Sequence, residues 1–183
     1  MRSRTCVIDI ETDGLEPSKI HCLWVKDIQT GSLHLFTTPY GVNEFFTNYS
    51  IVVAHSGCSF DFPILLKLWD VRIHVHQQTD TLIMSRLARP DRKDGHSLKA
   101  WGKRLHFSKG EYEGSWDVCT PEMIDYCKND VLLCAKLYQH LLSDLNMFTS
   151  WSVRDEHRMQ VLVNKVENTG FAFDLEKGYK FYS

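Results

Sequence analysis

The sequence has no apolar run of membrane-spanning length, no internal repeat and no low-complexity tract. A transmembrane helix needs about 20 consecutive apolar residues, so the missing run predicts a chain with no membrane partner. Residues 1–4 are basic, but only four apolar or small residues separate them from Asp9, which argues against a signal peptide. With 183 residues and 43% apolar content, the chain is expected to form a domain with a full core, in the cytoplasm.

The six cysteines include no C-x-x-C pair, and most of them lie in segments with the pattern of a core. This spacing favours reduced thiols over disulfides or a zinc site. The nine histidines also lack the spacing of metal ligands, with His74-x-His76 as the exception. Because these two residues alternate along a predicted strand, we interpret them as ordinary surface residues.

Hydrophobic periodicity predicts an α/β domain. Strands are predicted near 4–10, 20–28, 32–37, 50–54 and 73–78, and helices near 41–48, 62–69, 80–88, 97–105 and 121–143. A polar loop is predicted over 91–95 and an irregular segment over 108–118. A further helix is predicted over 151–168, ending at Gly170, and the segment from Phe171 starts another element.

An acidic pair closes the first predicted strand. Residues 5–10 have the pattern of a strand buried on both faces, where an unpaired carboxylate such as that of Asp9 is unfavourable. Glu11 lies two residues on, so on an extended chain its side chain points to the same side. Asp9 alone could be a structural salt bridge or a strand-end acid. Together the two acids would repel each other, and a bound cation is the simplest remedy.

Asp61 follows the strand predicted at 50–54 and precedes Pro63 and an apolar helical segment. It could be a helix N-cap, since Asp is a favoured cap and Pro is common early in the first turn. It could also bind a metal, because a residue in the loop after a strand projects from the carboxyl edge of the sheet, where α/β proteins keep their sites. The two interpretations are compatible.

A further acid lies on the long helix predicted over 121–143. Thr120 and Pro121 are typical of an N-cap and a first helical residue, and apolar residues recur at helical spacing after them. Asp130 lies only about 40° from the centre of that apolar stripe, and Tyr126 lies one turn earlier at its edge. Asp130 could be a buried acid satisfied by hydrogen bonds. It could also be a metal ligand, because the chain offers three further acids rather than an obvious arginine as its partner.

Together these positions supply four carboxylates and a phenol: Asp9, Glu11, Asp61, Asp130 and Tyr126. Metal-assisted phosphodiester cleavage requires such a set, since two divalent ions about 3.5–4 Å apart can flank a scissile phosphate. One ion activates a water and the other stabilises the leaving oxygen. Oxygen ligands suit hard ions, so the expected cofactors are two divalent metal ions, Mg²⁺ or Mn²⁺.

Three short motifs carry a family resemblance. Asp9-Ile-Glu11, Phe60-Asp61 and Tyr126-x-x-x-Asp130 resemble the motifs of the DEDD exonuclease superfamily, in its tyrosine-bearing branch. The resemblance implies an RNase H-like fold, with a mixed central sheet flanked by helices. It also implies hydrolysis from a 3′ end to give mononucleotides.

The same resemblance implies individual roles. Asp9 would bridge both metals, Glu11 and Asp130 would complete one metal site, and Asp61 would act on the other largely through water. Tyr126 would orient the attacking water. The histidine branch of the superfamily is disfavoured, because the position that it would use is Asp125.

The resemblance extends over nearly the whole chain to the proofreading domain of family A DNA polymerases, especially the podophage-type enzymes. Its further landmarks are residues 54–63, 80–87, 100–105 and 109–112. It implies that Thr12 and Leu15 contact the terminal nucleotide, with Leu15 wedged against the last bases, and it assigns Ser56 and Phe60 to substrate binding. Ser56 is a departure, since the family commonly has Asn there. Ser has a shorter reach, which affects strand positioning rather than the metal ligands.

The formal net charge of −2 argues against a broad hold on duplex DNA, which relies on many Lys and Arg contacts to phosphates. Positive charge is nevertheless concentrated in one stretch, interleaved with His96 and Trp101: Arg86, Arg89, Arg92, Lys93, Lys99, Lys103 and Arg104. This stretch could be a solvated loop and helix face. It could also be a track that guides a single strand toward the metals.

The expected function is a 3′-to-5′ exodeoxyribonuclease that acts on single-stranded or mismatched DNA 3′ ends and proofreads for a family A polymerase. If phage-encoded, it would act in the host cytoplasm. One alternative is an exoribonuclease of the RNase D kind, which has the same four acids. Another is a non-catalytic nucleic-acid-binding domain that assists a polymerase.

The expected division of the chain is an exonuclease core over 1–150 and a C-terminal helix and junction segment over 151–183. The last thirteen residues are rich in large apolar side chains: Phe171, Phe173, Leu175, Tyr179, Phe181 and Tyr182. Such a density is more usual for a buried boundary than for a solvated tail. The tail could fold back on its own domain, or it could form the junction with a polymerase.

Overall fold

The computed structural model describes residues 4–108 and 110–182. Its centre is a five-stranded sheet in the order β3-β2-β1-β4-β5. The strands are β1 (Thr5–Thr12), β2 (Ile20–Asp27), β3 (Leu33–Phe36), β4 (Ile51–Ala54) and β5 (Gln78–Asp80). The first three pair antiparallel, whereas β4 and β5 extend the sheet in parallel with β1. The predicted mixed sheet is confirmed.

The helices are α1 (Val42–Phe46), α2 (Asp61–Trp69), α3 (Thr81–Ala88), α4 (Leu98–Arg104), α5 (Pro121–Asp144), α6 (Ser150–Thr169) and α7 (Leu175–Tyr182). Four of them start at a residue whose side chain accepts a backbone N–H of the first turn: Asp80, Ser97, Thr120 and Thr149. These caps satisfy donors that the helix itself leaves unpaired. The predicted start of α5 at Thr120 and Pro121 is confirmed.

Alternation along β1 decides which side chains meet which helices. Cys6, Ile8 and Ile10 pack in the core on one face of the sheet, with Phe46 of α1 and Leu65 of α2. Val7 packs in the core on the other face, which α5 covers. Because successive strand residues point to opposite faces, Asp9 and Glu11 share the face of Val7 and point toward α5.

The strand predicted at 73–78 is wrong over most of its length. Residues 71–77 are irregular or turn, and β5 consists of Gln78–Asp80 only. His74 and His76 therefore do not alternate along a strand; both are exposed, and their rings stack with centroids 5.5 Å apart. The apolar alternation of this segment comes from Val71 and Ile73, which fill the core without joining the sheet.

The C-terminal part divides into a packed helix and an exposed tail. Helix α6 packs against α3 and β5. By contrast, α7 has no buried residue, and its large side chains, from Leu175 to Tyr182, are each at least 64% exposed. Over the described residues the tail therefore does not fold back on the domain. Within the described ranges, no helix is long and apolar enough to cross a bilayer.

Candidate active site

The four acids and the tyrosine singled out in the sequence meet at the edge of the sheet where the parallel strands end. Asp9 and Glu11 lie near the end of β1, and Asp61 begins α2 after the loop that follows β4. Asp130 and Tyr126 come from α5, which packs across β1 and β2. All five line one cavity of about 360 Å³. The fold therefore brings together residues that are far apart in the sequence, such as Asp9 and Asp130, which are 121 positions apart.

Asp9 is surrounded by like charges. Burial, and then the charges of Asp61, Glu11 and Asp130, raise the pKa of its carboxyl well above the usual value. Across the described ranges, no lysine or arginine forms an ion pair with Asp9. The salt-bridge interpretation of Asp9 is therefore wrong. A cation in the cleft would relieve this repulsion.

Asp61 is the first residue of α2 and not its N-cap. Phe60 holds the cap position and makes no side-chain cap hydrogen bond, so the capping interpretation is wrong. Asp61 is 3% exposed. Burial, and then the charge of Asp80, raise the pKa of its carboxyl to about 7, against hydrogen bonding from the backbone of Asp61 and Ile10 that lowers it. Near neutral pH a proton would therefore compete with any cation placed at this carboxyl.

Asp130 and Tyr126 reach the cleft from adjacent turns of α5. Asp130 is 5% exposed, and its charge acts on Asp9. The half-buried Tyr126 ring lies edge-on to the Trp116 ring, with centroids 6.4 Å apart, and tilted against the Tyr112 ring at 6.1 Å. These aromatic contacts fix the phenol at the rim of the cleft.

A thiol lies beside the acids. Ligand atoms of Asp9, Glu11 and Cys127 all lie within 4.8 Å of one another, close enough to surround one ion. The Cys127 thiol donates to the backbone oxygen of Asp9 at 3.3 Å, and burial raises its pKa well above the usual value. Because the thiolate is the metal-binding form, a thiol that holds its proton leaves carboxylate oxygens as the main donors. Such a donor set fits a hard divalent ion.

An apolar pocket of about 400 Å³ adjoins the acids. It is lined by Ile10, Glu11, Thr12, Gly14, Leu15, Phe60 and Trp116. Leu15 is 90% exposed in the loop after β1. The Thr12 hydroxyl donates to the Gly14 carbonyl at 2.8 Å, and Asp13 accepts two backbone N–H groups of the same loop, at 2.9 and 3.1 Å. An apolar side chain on such a tied loop offers a surface on which a base can stack.

The loop over residues 55–60 joins β4 to α2 and borders the cleft. Ser56 has a left-handed backbone, with φ of 64°. Its N–H donates to one carboxyl oxygen of Asp80 at 2.9 Å, and the Cys58 N–H donates to the other at 3.0 Å. Asn adopts this conformation more readily than Ser. The Asn that is common in the family would therefore suit this backbone, and the departure at Ser56 concerns the reach of the side chain.

Sequence reasoning missed three residues of the site. His55 and Trp116 line the cleft with the acids. Asp80 is 1% exposed and holds the loop over 55–60. A single His, and a Trp within a segment predicted to be irregular, give no periodic signal. Asp80 is the first residue of the family landmark at 80–87, but the landmark alone did not identify a role for Asp80.

The basic stretch is only partly a free surface. Trp101 is 1% exposed, and the guanidinium groups of Arg92 and Arg104 lie over its ring at 4.4 and 5.1 Å. Arg92 also pairs with Asp144 at 3.5 Å. Asp144 is fourteen residues beyond Asp130 on α5, roughly 21 Å at about 1.5 Å per residue. The side chains of Arg92 and Arg104 are only 15% and 20% exposed, so at this end of the stretch the two arginines pack on Trp101 and form neither a solvated face nor a track to the metals.

The cysteine expectation is confirmed. All six cysteines are free thiols, and five of them are buried.

The family landmark at 109–112 is described only from Gly110, since Lys109 lies outside the described residues.

Comparison with known proteins identifies relatives of this chain. A family model described as a 3′-5′ exonuclease matches residues 1–146. A DNA-directed DNA polymerase of Enterobacteria phage T3 is 28% identical over 241 residues, a match that covers 96% of this chain and 34% of the polymerase. The chain therefore spans about a third of the length of that relative.

Solved structures share the fold. Brucella melitensis NrnC superimposes with a TM-score of 0.72 at 19% identity, covering 94% of this chain and 89% of NrnC. Escherichia coli RNase D, an exoribonuclease, superimposes with a TM-score of 0.65 at 15% identity, covering 87% of this chain and 44% of RNase D. At these identities the likeness concerns the fold alone.

Proposed function

The chain belongs to the 3′-5′ exonuclease family, and from that premise we propose that it removes nucleotides from single-stranded or mismatched DNA 3′ ends as a proofreading activity. The observation that carries the proposal is the set of four acids and one phenol around a single cleft, next to an apolar pocket. The acids would hold two Mg²⁺ or Mn²⁺ ions. When bound, such ions supply an activated water and stabilise the leaving oxygen.

Each residue of the cleft would have one task. Asp9 would be shared by both ions, Glu11 and Asp130 would complete one site, and Asp61 would serve the other largely through water. Tyr126, held at the rim by aromatic contacts, would orient the attacking water. All four carboxylates line this one cleft.

The terminal nucleotide would lie over the apolar pocket. Leu15 would wedge against the last bases, and Thr12 would hold the loop that presents it. Phe60 and Trp116 supply aromatic walls, and base stacking on such walls is worth about 1–3 kcal/mol per base. Ser56 borders the cleft and would contact the strand. We propose that this pocket takes an unpaired end rather than a base pair.

The partner would be a family A DNA polymerase, joined covalently or as a separate subunit. The phage T3 polymerase supports this proposal, since a third of its length aligns with nearly all of this chain. The core would occupy residues 1–150, and residues 151–183 would lead toward the polymerase. The exposed apolar tail is the surface that such a junction would cover.

Substrate class separates this proposal from its rivals. RNase D is an exoribonuclease, and NrnC has been solved with bound pGG. The test is a parallel digestion of a single-stranded DNA, the same sequence as RNA, a dinucleotide, and primer–templates with matched or mismatched 3′ ends, all with Mn²⁺. We expect DNA single strands and mismatched ends to be cut faster than matched ends, since melting costs about 1.4 kcal/mol per base-pair step. RNA or the dinucleotide cut much faster than DNA would replace the proposal with an RNase D-like or dinucleotide-directed function.

A further inference from the structure

Helix α6 lies beyond the segment that the 3′-5′ exonuclease model matches, yet two of its polar side chains reach the loop over residues 55–60 and its neighbour β5. These side chains are His157 and Asn164. They are seven residues apart, so they lie on the same side of the helix, two turns from each other. His157 is 4% exposed although most of α6 is exposed.

His157 holds the backbone of Asp80. The Asp80 N–H donates to His157 Nε2 at 2.7 Å, and His157 Nδ1 lies 2.7 Å from the Val153 carbonyl oxygen one turn earlier on α6. Since a carbonyl oxygen only accepts, Nδ1 carries the proton and Nε2 is the acceptor. The ring is therefore held in one tautomer and one orientation. Asp80 in turn accepts the N–H groups of Ser56 and Cys58.

Asn164 holds the same loop directly. Its side-chain amide donates to the Cys58 carbonyl at 2.7 Å, and its oxygen accepts from the Ser59 hydroxyl at 3.2 Å. Gln160, one turn earlier on α6, donates to that oxygen at 2.8 Å and orients the amide. The N–H and the carbonyl of Cys58 are thus tied to β5 and to α6, three residues before Asp61.

We propose that α6 is part of the catalytic unit, with His157 and Asn164 as positioning residues that set the loop carrying His55 and Ser56 and the start of α2 at Asp61. This inference rests on the proposed function, because it assigns Asp61 to the metal site. It moves the end of the functional core from residue 150 to at least residue 164. Misplacement of a reacting group by about 1 Å costs about 100-fold in rate, so loss of either contact is expected to lower kcat by about 10- to 100-fold.

The experiment compares four variants with two controls in the full chain. His157→Ala removes the acceptor for the Asp80 N–H, and Asn164→Asp removes the donor to the Cys58 carbonyl without a change in side-chain size. His157→Gln keeps an acceptor near the position of Nε2 and should recover most of kcat. Arg158→Ala and Lys165→Ala alter exposed neighbours on the same helix and should behave like wild type. Asn164→Ala checks that the negative charge introduced by Asn164→Asp is not the cause.

Two measurements separate positioning from simple stabilisation. Mn²⁺ binding is measured by electron paramagnetic resonance without nucleic acid, and kcat and KM are measured separately at a temperature where all variants are folded. We expect His157→Ala and both Asn164 variants to bind Mn²⁺ about 10-fold more weakly, to lose kcat and to keep KM. Variants that melt earlier yet keep Mn²⁺ affinity and kcat would overturn the proposal, and so would equal losses in His157→Ala and His157→Gln.

The readouts also distinguish this inference from the proposed function. If the wild-type chain binds Mn²⁺ but cleaves none of the nucleic acids, the proposed function fails, while the ranking of the variants in Mn²⁺ affinity still tests α6. Should His157→Ala fail to fold, the conservative pair Asn164→Asp and His157→Gln decides the question. Wild-type Mn²⁺ affinity in Asn164→Asp would then refute positioning by α6.

Discussion

At the scale of single residues, the cleft gathers carboxyl groups whose charges oppose one another. The pKa of Asp61 is raised from 3.8 to about 7, first by burial and then by Asp80. A carboxyl with a raised pKa in the folded state binds more protons folded than unfolded between about pH 4 and 7. The metal-free protein must therefore lose stability from this group as pH rises through that window.

The raised pKa of Asp61 makes the stability of the metal-free protein depend on pH, and Asp61→Asn tests this dependence. Asp61→Asn removes the charge with little change in size, so it should raise the Tm of the metal-free protein more at about pH 8 than at about pH 5. Mg²⁺ should reverse the order by stabilising wild type at pH 8 and the variant much less. Thermal melts with and without chelator measure this. A variant that is less stable than wild type at pH 8 in chelator would contradict the like-charge account of the cleft.

Tyr126 should behave differently from the acids. A phenol that orients water without binding metal contributes less than a ligand does, so Tyr126→Phe should slow cleavage by about 10- to 1000-fold. Its affinity for Mn²⁺ should remain that of wild type. Single-turnover rates and direct Mn²⁺ titration provide the measurement. Loss of metal binding, or an unchanged rate, would remove the assigned role from Tyr126.

At the scale of structural elements, the loop after β1 contributes Leu15 to the lining of the apolar pocket, and the segment over 113–118 contributes Trp116. Leu15→Ala and Trp116→Ala should each raise KM for a single strand or lower its cleavage by about 5- to 100-fold, since a lost stacking partner is worth about 1–3 kcal/mol. Mn²⁺ affinity should stay constant in both. Leu35→Ala is a matched control, because Leu35 is exposed on the edge strand β3 and does not line the apolar pocket. Equal effects of all three substitutions would show that the pocket does not hold the substrate.

The sequence predicts well those elements whose stabilising features are local, such as a cap residue and an apolar stripe at helical spacing. Helix α5 has a cap, a proline and an apolar stripe, so its start and the inward position of Asp130 follow from the sequence. The strand prediction at 73–78 is wrong because Val71 and Ile73 are buried core residues that lie on irregular backbone before β5. Two buried apolar residues at alternate positions give the same sequence pattern as a strand. Local periodicity gives no signal for residues whose place in the site depends on long-range contacts. These residues are Trp116, His55 and the positioning residues His157 and Asn164.

At the scale of the whole molecule, the apolar tail over residues 171–182 is an exposed surface that a partner could cover. Phe171, Phe173, Phe181 and Tyr182 are 65–98% exposed, and exposed apolar side chains grouped in this way are typical of interaction sites. Deleting residues 171–183 should leave cleavage of free oligonucleotides within about 2-fold of wild type, because the residues that line the cleft all precede α6. Co-elution with the polymerase encoded in the same source should be lost.

Size-exclusion chromatography of mixed samples checks this expectation. The four-residue variant with Phe171, Phe173, Phe181 and Tyr182 changed to Ser is the matched control, since it keeps the chain length. Retained co-elution in both forms would place the interface elsewhere. Loss of folding on deletion would mean that the tail supports the domain itself.

The central claim is that four carboxylates in one cleft cut DNA from its 3′ end with divalent metal. Its most direct measurement is a time course with one single-stranded DNA oligonucleotide, labelled at the 5′ end in one sample and at the 3′ end in another, with Mg²⁺, with chelator, and with the Asp9→Ala variant. We expect the 5′ label to move down a ladder one nucleotide at a time and the 3′ label to appear at once as mononucleotide, with neither product in chelator or in Asp9→Ala. Release of the 5′ label first, internal fragments, or undiminished cleavage by Asp9→Ala would contradict it.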